Sequence, residues 1–273
     1  MNLKNICLAV TALLTFSLAA AGCGTTGNDA KSSAENKIIK IGATSGPNAE
    51  ILEAVKKEAE KEGLKIEIVE FNEYIQPNVA LDNKDLDMNV YQHIQFMENA
   101  MKTRGYKFAA IGKTYLLPYG LFSNKYKSFA EVPDGASVAI PNDPTNGGRG
   151  LALLEQAGLL VLKEGKGAAA NVDDIVQNPR HLKILELEAA QLPRSLNDAD
   201  LVAVPGNYVL SAGLDLKNAL AVESQTSPFT IVVAVREEDK DNPVYKKIAQ
   251  IYQSDAVKNF VSEKYGGNVV PGF

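Results

Sequence analysis

The sequence predicts an α/β protein of two lobes, each built on a parallel sheet, with a ligand cleft between them. Three observations carry this. From Lys37 onward, short β-branched runs alternate with apolar-periodic helical stretches, the order expected of parallel strands joined by right-handed crossovers. About 250 residues remain once an N-terminal address is set aside, enough for one large domain or two lobes. Turns at Thr44, Tyr91, Asn146 and Asn207 each follow a strand and precede a helix. Open α/β sheets bind ligands beyond the carboxyl ends of their strands, so two sheets facing one another gather these turns round a single cleft.

The first residues read as that address. Lys4 supplies a positive n-region, and Ile6 to Ala21 form an apolar stretch short for a bilayer span. Ala20-Ala21-Gly22-Cys23 resembles a bacterial lipobox, where signal peptidase II cleaves ahead of a cysteine that then carries lipid. Residues 1–22 are therefore expected to be a signal peptide, Cys23 the lipidated residue and 23–37, polar and small, a flexible tether. Cys7 and Cys23 are the only cysteines, which leaves no disulfide framework and no thiolate metal site in the mature chain. Two histidines, His93 and His181, argue against a histidine-built metal centre as well. A formal charge of −5 without basic clusters argues against nucleic acid as a partner.

Ile38 to Ala43 reads as the first strand, and Ile51, Val55 and Ala59 share one face of a helix that stops at Gly63. Leu64 to Val69 alternates as a second strand, and Phe71 to Asn78 breaks into the next helix. Leu86 to Val90 is a short strand running into Tyr91-Gln92-His93-Ile94-Gln95-Phe96-Met97, expected to begin a helix with Met97 and Met101 on one face. Tyr91 and Phe96 there suit an apolar pocket with His93 as its polar handle, or equally an ordinary core beside a helix-start histidine. Ile111 to Ser123, interrupted by Pro118, reads as an extended crossing between lobes, and Phe229 to Val235 as the return. The expected boundaries are accordingly 38–117 plus 228–273 for the first lobe and 118–227 for the second. Leu182 to Leu187 and Leu201 to Val204 are short buried strands, the latter leading into a helix in which Asn207 sits at a cap position. Two amphipathic segments, Pro243 to Tyr252 and Asp255 to Tyr265, are expected to pack back on the first lobe.

Pro141 to Arg149, PNDPTNGGR, concentrates the chemistry. The strand Ala136 to Ile140 leads in, and Leu151 and Leu154 lead out along a helix. Asp143 or Thr145 can cap that helix, with Pro144 suited to its first position. Free helix-start NH groups favour an anion, and Gly147 and Gly148 allow close approach of a ligand to the backbone. Arg149 in the first turn opposes the helix dipole, so a partner is expected to hold it. A ligand carboxylate suits its planar fork; solvent or an internal salt bridge are the alternatives.

Five stretches, FNEYIQPN at 71–78, NVYQHIQF at 89–96, LPYGLFS at 117–123, IPNDPTNGGRG at 140–150 and GNYVLSAGL at 206–214, carry a resemblance across the mature chain. The chain resembles the substrate-binding lipoproteins of methionine-uptake ABC transporters, the NlpA/MetQ family. The fold this implies is a type II periplasmic binding protein, two α/β lobes joined by two crossing strands with the ligand cleft between them. Carried over residue by residue, the family's ligand-contacting aromatics fall on Tyr74, Tyr91 and Phe96, with His93 among them. Its carboxylate-binding arginine falls on Arg149 with Asn146 beside it, and an asparagine contacting the amino-acid moiety, assigned to the ammonium, falls on Asn207. Phe96 stands where tyrosine is more usual, Ile231 where a second asparagine is frequent, and Val-Pro precedes GNYVLSAGL where the family often has Ile-Asn.

The function implied is non-catalytic capture of an amino acid, methionine first, and its delivery to the permease and ATPase subunits of an importer. The protein would be anchored to a bacterial membrane through Cys23, facing outside the cytoplasm, with no cofactor. Binding would require a free α-carboxylate paired by Arg149. No GxSxG elbow, mature cysteine nucleophile or metal cluster speaks for an enzyme. Another apolar amino acid, a short methionine-containing peptide, or a surface interaction lipoprotein with a vestigial cleft are the alternatives.

Overall fold

The computed structural model describes residues 37–273. The expected signal peptide, Cys23 and the tether up to residue 36 lie outside the described residues. Those described belong to one compact unit containing two five-stranded sheets.

The first sheet begins as the alternation predicts. β1 (Ile38–Thr44) pairs in parallel with β2 (Lys65–Phe71) along its whole length, and with β3 (Met88–Asn89) on its other side. Between β1 and β2 runs α1 (Pro47–Lys61), which buries Ile51, Leu52, Val55 and Ala59 and turns its lysines and glutamates outward. α2 (Gln76–Asp82) and α3 (Ile94–Arg104) follow β2 and β3, and β4 (Phe108–Lys113) completes the first run of the chain. β3 is shorter than its apolar run, although Asp87 and Val90 also bond to β1 through their backbone NH groups.

The crossing is not one extended strand. β5 (Tyr115–Leu116) and β6 (Gly120–Phe122) are separated at Pro118, which has no NH to give a ladder. The second sheet then assembles β7 (Ser137–Pro141), β10 (Lys183–Leu187) and β11 (Leu201–Val204) in parallel, with β12 (Ala221–Val222) at its edge. α4 (Pro144–Gln156) follows β7; α5 (Leu192–Ser195) precedes β11, and α6 (Gly206–Ser211) follows it. A small hairpin joins β8 (Val161–Leu162) to β9 (Ile175–Gln177). The chain returns through β13 (Val232–Arg236), then α7 (Pro243–Ile251), α8 (Asp255–Tyr265) and β14 (Val270–Pro271), which pairs with β5.

The spatial orders are β2-β1-β3-β13-β4 and β10-β7-β11-β6-β12. In each sheet the fourth strand comes from the crossing and runs antiparallel to both neighbours. The expectation of parallel sheets thus needs correcting: a strand arriving from the other lobe enters against the direction set by the local crossovers. Helices α7 and α8 pack Tyr245, Ile248, Val257 and Val261 against α1 and β1, as expected for the tail. Separate apolar clusters fill the two faces of the second sheet. Each fully buried isoleucine or leucine in these cores contributes roughly 1.5–3 kcal/mol.

Candidate functional site

The carboxyl ends of the strands meet at one cavity. Tyr74, Tyr91, His93, Phe96, Asn146, Arg149 and Asn207 all line it, drawn from both lobes. Three of the four predicted turns contribute directly. The turn at Thr44 contributes Asn48 instead, whose side-chain NH₂ donates to the Thr44 hydroxyl at 2.8 Å. Leu117, Tyr119 and Phe229 also line the wall, and sequence reasoning did not single them out.

The segment before α3 shows how the first lobe aims its side chains. The helix starts at Ile94, three residues later than the apolar pattern suggests, because His93 is its N-cap: Phe96 N donates to His93 Nδ1. Tyr91 instead forms a bend, and His93 is extended and bridges Ile231 of the return crossing. Behind them, Asn78 and Gln92 exchange hydrogen bonds at 2.7 and 2.8 Å, and Asn89 donates to Asn78, so this buried turn is fixed by a polar network.

With Nδ1 accepting, Nε2 carries the proton of His93 and donates to Asn146 Oδ1 at 3.1 Å. The Tyr119 hydroxyl donates to the same oxygen at 2.8 Å, while Asn146 Nδ2 donates to both oxygens of Asp143. Burial, aided by the nearby Arg149 charge, lowers the His93 pKa to about 3, so it stays a neutral donor. Burial raises Asp143 in spite of the bonds it accepts. It likewise pushes the phenols of Tyr74, Tyr91 and Tyr119 well above their usual range.

Tyr74, Tyr91 and Phe96 form an aromatic corner with ring centroids 6.0–6.1 Å apart. The Tyr91 hydroxyl donates to Tyr74 O at 2.8 Å, and the Tyr74 hydroxyl to Asn207 Oδ1 at 2.6 Å across the cleft. The partner amide nitrogen, Asn207 Nδ2, is buried and has no hydrogen-bond partner. Next to it Tyr208 packs on Tyr74 at 5.3 Å and donates to Asn72 O, and Ser211 donates to Ser45 O at 3.3 Å. α6 thereby lies shut against the turns of the first lobe.

Asp143 caps α4 by accepting from Asn146 N at 3.0 Å, so this helix start is closed by its own side chain rather than left open for an anion. The two glycines serve chain packing: a Cβ on Gly147 would stand 2.7 Å from Pro141 O, and one on Gly148 2.3 Å from Ala168 O. Arg149 is held by an internal ion pair. Its Nε donates to Glu223 Oε1 at 2.6 Å and its Nη2 to Glu223 Oε2, while Nη2 also reaches Leu117 O at 3.1 Å. The guanidinium lies between the rings of Tyr119 and Phe229, at 4.0 and 4.7 Å. Nη1 is the guanidinium nitrogen left without a protein hydrogen bond among the described residues. No group of residues able to hold a metal ion is present among those described.

A model of the NlpA lipoprotein family matches residues 39–273. D-methionine-binding lipoprotein MetQ of Escherichia coli (strain K12) is 42% identical over 277 aligned positions, covering 100% of both chains. Lipoprotein 28 of the same strain is 40% identical over 266 positions, 96% of each. A nutrient binding protein from Burkholderia cenocepacia solved bound to methionine matches with a TM-score of 0.83 at 47% identity, covering 86% of this chain and 100% of that one. The crystal structure of a methionine binding protein, MetQ, gives a TM-score of 0.84 at 42% identity over 86% of this chain and 98% of that one.

Proposed function

Since the chain belongs to the NlpA lipoprotein family, we propose that it is the substrate-binding lipoprotein of an ABC importer, capturing methionine in its cavity without catalysis and delivering it to the permease and ATPase subunits. Cys23 would carry the lipid that anchors it to the bacterial envelope on the outer side of the cytoplasmic barrier. The observation that carries the reading is the division of the cavity wall. One side is the aromatic corner of Tyr74, Tyr91 and Phe96, suited to a soft, polarisable thioether. The other offers unused donors, Asn207 Nδ2 and Arg149 Nη1, suited to a carboxylate.

This division reassigns Asn207. Its oxygen already accepts from Tyr74, so its free end serves the ligand carboxylate rather than the ammonium. The ammonium would turn to Asn48 Oδ1, a cavity-lining amide oxygen that accepts no hydrogen bond among the described residues. His93 and Asn146 orient the wall, each with its polar atoms already engaged within the protein. Phe96 and Ile231 add apolar surface and favour a side chain without hydroxyl or charge.

Calorimetry on protein unfolded and refolded to strip carried ligand tests this, with L-methionine, D-methionine, leucine and glycyl-methionine as titrants. Methionine in either hand should bind more tightly than leucine. Leucine binding as well as both enantiomers would refute methionine as the cargo. A preference for glycyl-methionine would identify a peptide carrier.

A further inference from the structure

We propose that Glu223 sets the charge preference of the cavity, so that a ligand must bring an ammonium group together with its carboxylate and simple carboxylate anions are turned away. The inference rests on the amino-acid reading above and concerns a residue that does not itself line the cavity. Glu223 stands behind Arg149, with 11% of its side chain exposed. Its oxygens accept from Arg149 Nε and Nη2, from the Tyr119 backbone NH at 3.1 Å and from the Ser227 hydroxyl at 2.9 Å. A carboxylate held by four donors, beside a guanidinium clamped between two rings, is a fixed element of the wall.

The positive charge that a ligand carboxylate meets is therefore already compensated. Asp143, tied to Asn146 and Thr145, adds a second carboxylate near the same wall. His93 contributes no charge. One cation set against two carboxylates leaves no uncompensated positive field for an anion, while a zwitterion supplies its own counter-charge. Glu223 is a positioning residue acting through Arg149: it takes the Nε–Nη2 edge of the fork and leaves Nη1 as the free donor. Bidentate recognition of the ligand through that edge is thereby excluded, and a carboxylate gains one charged donor plus the Asn207 amide.

Three titrants sharing one thioether side chain test this: L-methionine, the cation L-methioninol and the anion 4-(methylthio)butanoate. Wild type should bind methionine most tightly. Glu223→Gln keeps the shape and removes the charge; it should strengthen the anion and weaken the cation. Anion affinity should then rise on the order of a hundredfold, the size expected for one charge removed about 6 Å away at an effective dielectric of about 20, and the ratio of anion to cation affinity should rise further as the cation weakens. Glu223→Asp should retain the wild-type order. A merely structural role would weaken all three ligands together, so an unchanged ratio in Glu223→Gln overturns the inference. A ligand-independent arm uses Glu223→Ala, where added formate should fill the vacated place beside Arg149 and raise the Tm of the variant but not of wild type. Absence of a formate effect also overturns it. Formate rescue with none of the three titrants binding wild type would instead sink the methionine reading alone.

Discussion

His93 gives the most quantitative test of the site's construction. Its ring is buried, donates through Nε2 to Asn146 and accepts from Phe96 N, and its pKa falls to about 3, against an ordinary value of 6.5. The folded state thus resists the proton that the unfolded chain accepts. As pH falls, the unfolded histidine charges first, so the stability that neutral His93 provides is complete above about pH 6.5 and drains away as pH drops toward about 3. The slope is about 1.4 kcal/mol per pH unit, which makes the loss about 2–3 kcal/mol between about pH 6.5 and 4.5. For a chain of this size that is a fall of roughly 4–12 °C in Tm. His93→Gln retains a donor for Asn146 and cannot titrate. Urea unfolding of the stripped protein, followed by far-UV circular dichroism across this range, should show the wild-type advantage over the variant shrinking by that amount on acidification. Asp87 and Asp200, both lowered in the folded state, lose stability at lower pH, but both proteins share them and they cancel in the difference. Parallel stability curves for the two proteins would show that His93 is not held neutral as argued.

Two further outcomes follow from the same geometry. Arg149→Ala leaves Glu223 buried without its cation and should lower the stability of ligand-free protein by about 3–5 kcal/mol, whereas pairing Arg149→Met with Glu223→Leu should recover most of that; urea unfolding of all three checks it, and a single variant as stable as wild type would contradict the buried pair. Gly46 has a φ of 87°, and a Cβ there would lie 2.1 Å from Ser211 Oγ. Gly46→Ala should therefore hold α6 off the first lobe at a strain of about 1–3 kcal/mol and speed ligand release roughly tenfold or more in stopped-flow fluorescence; an unchanged release rate would mean that this rim does not govern closure.

Much of the fold was legible because it follows local periodicity. The buried face of α1, the Asp143–Pro144 start of α4 and the packing of α7 and α8 onto β1 all announce themselves in apolar spacing and capping residues. The direction of β6 and β13 did not, since a strand's pattern says which face is buried and nothing about which way its neighbours run. The seven residues carried over from the family surround a single cavity, yet Glu223 was invisible. It lies in AVESQTSP, where a lone glutamate reads as solvated, and its burial is created by an arginine 74 residues earlier in the chain. Gly147 and Gly148 taught a related lesson. The sequence shows that something approaches the backbone there, and only the fold reveals that it is Pro141 and Ala168.

The position of β13 bears on how the molecule comes into being. It lies between β3 and β4, so the central hydrogen bonds of the first sheet cannot close until residues 232–236 are present. The second sheet draws all its strands from the continuous run 120–222 and has no such dependence. A chain threaded through a membrane with its N-terminus leading would expose β1 to β4 first, as a sheet lacking the strand that joins β3 to β4. Those strands would wait without the partner of β3 and β4 until the tail arrived. Folding of the first lobe is thus deferred by its own topology, at the expense of speed, since pairing strands so distant in sequence is slow. Truncation between Val222 and Val232 should abolish that lobe while leaving the strands of the second complete.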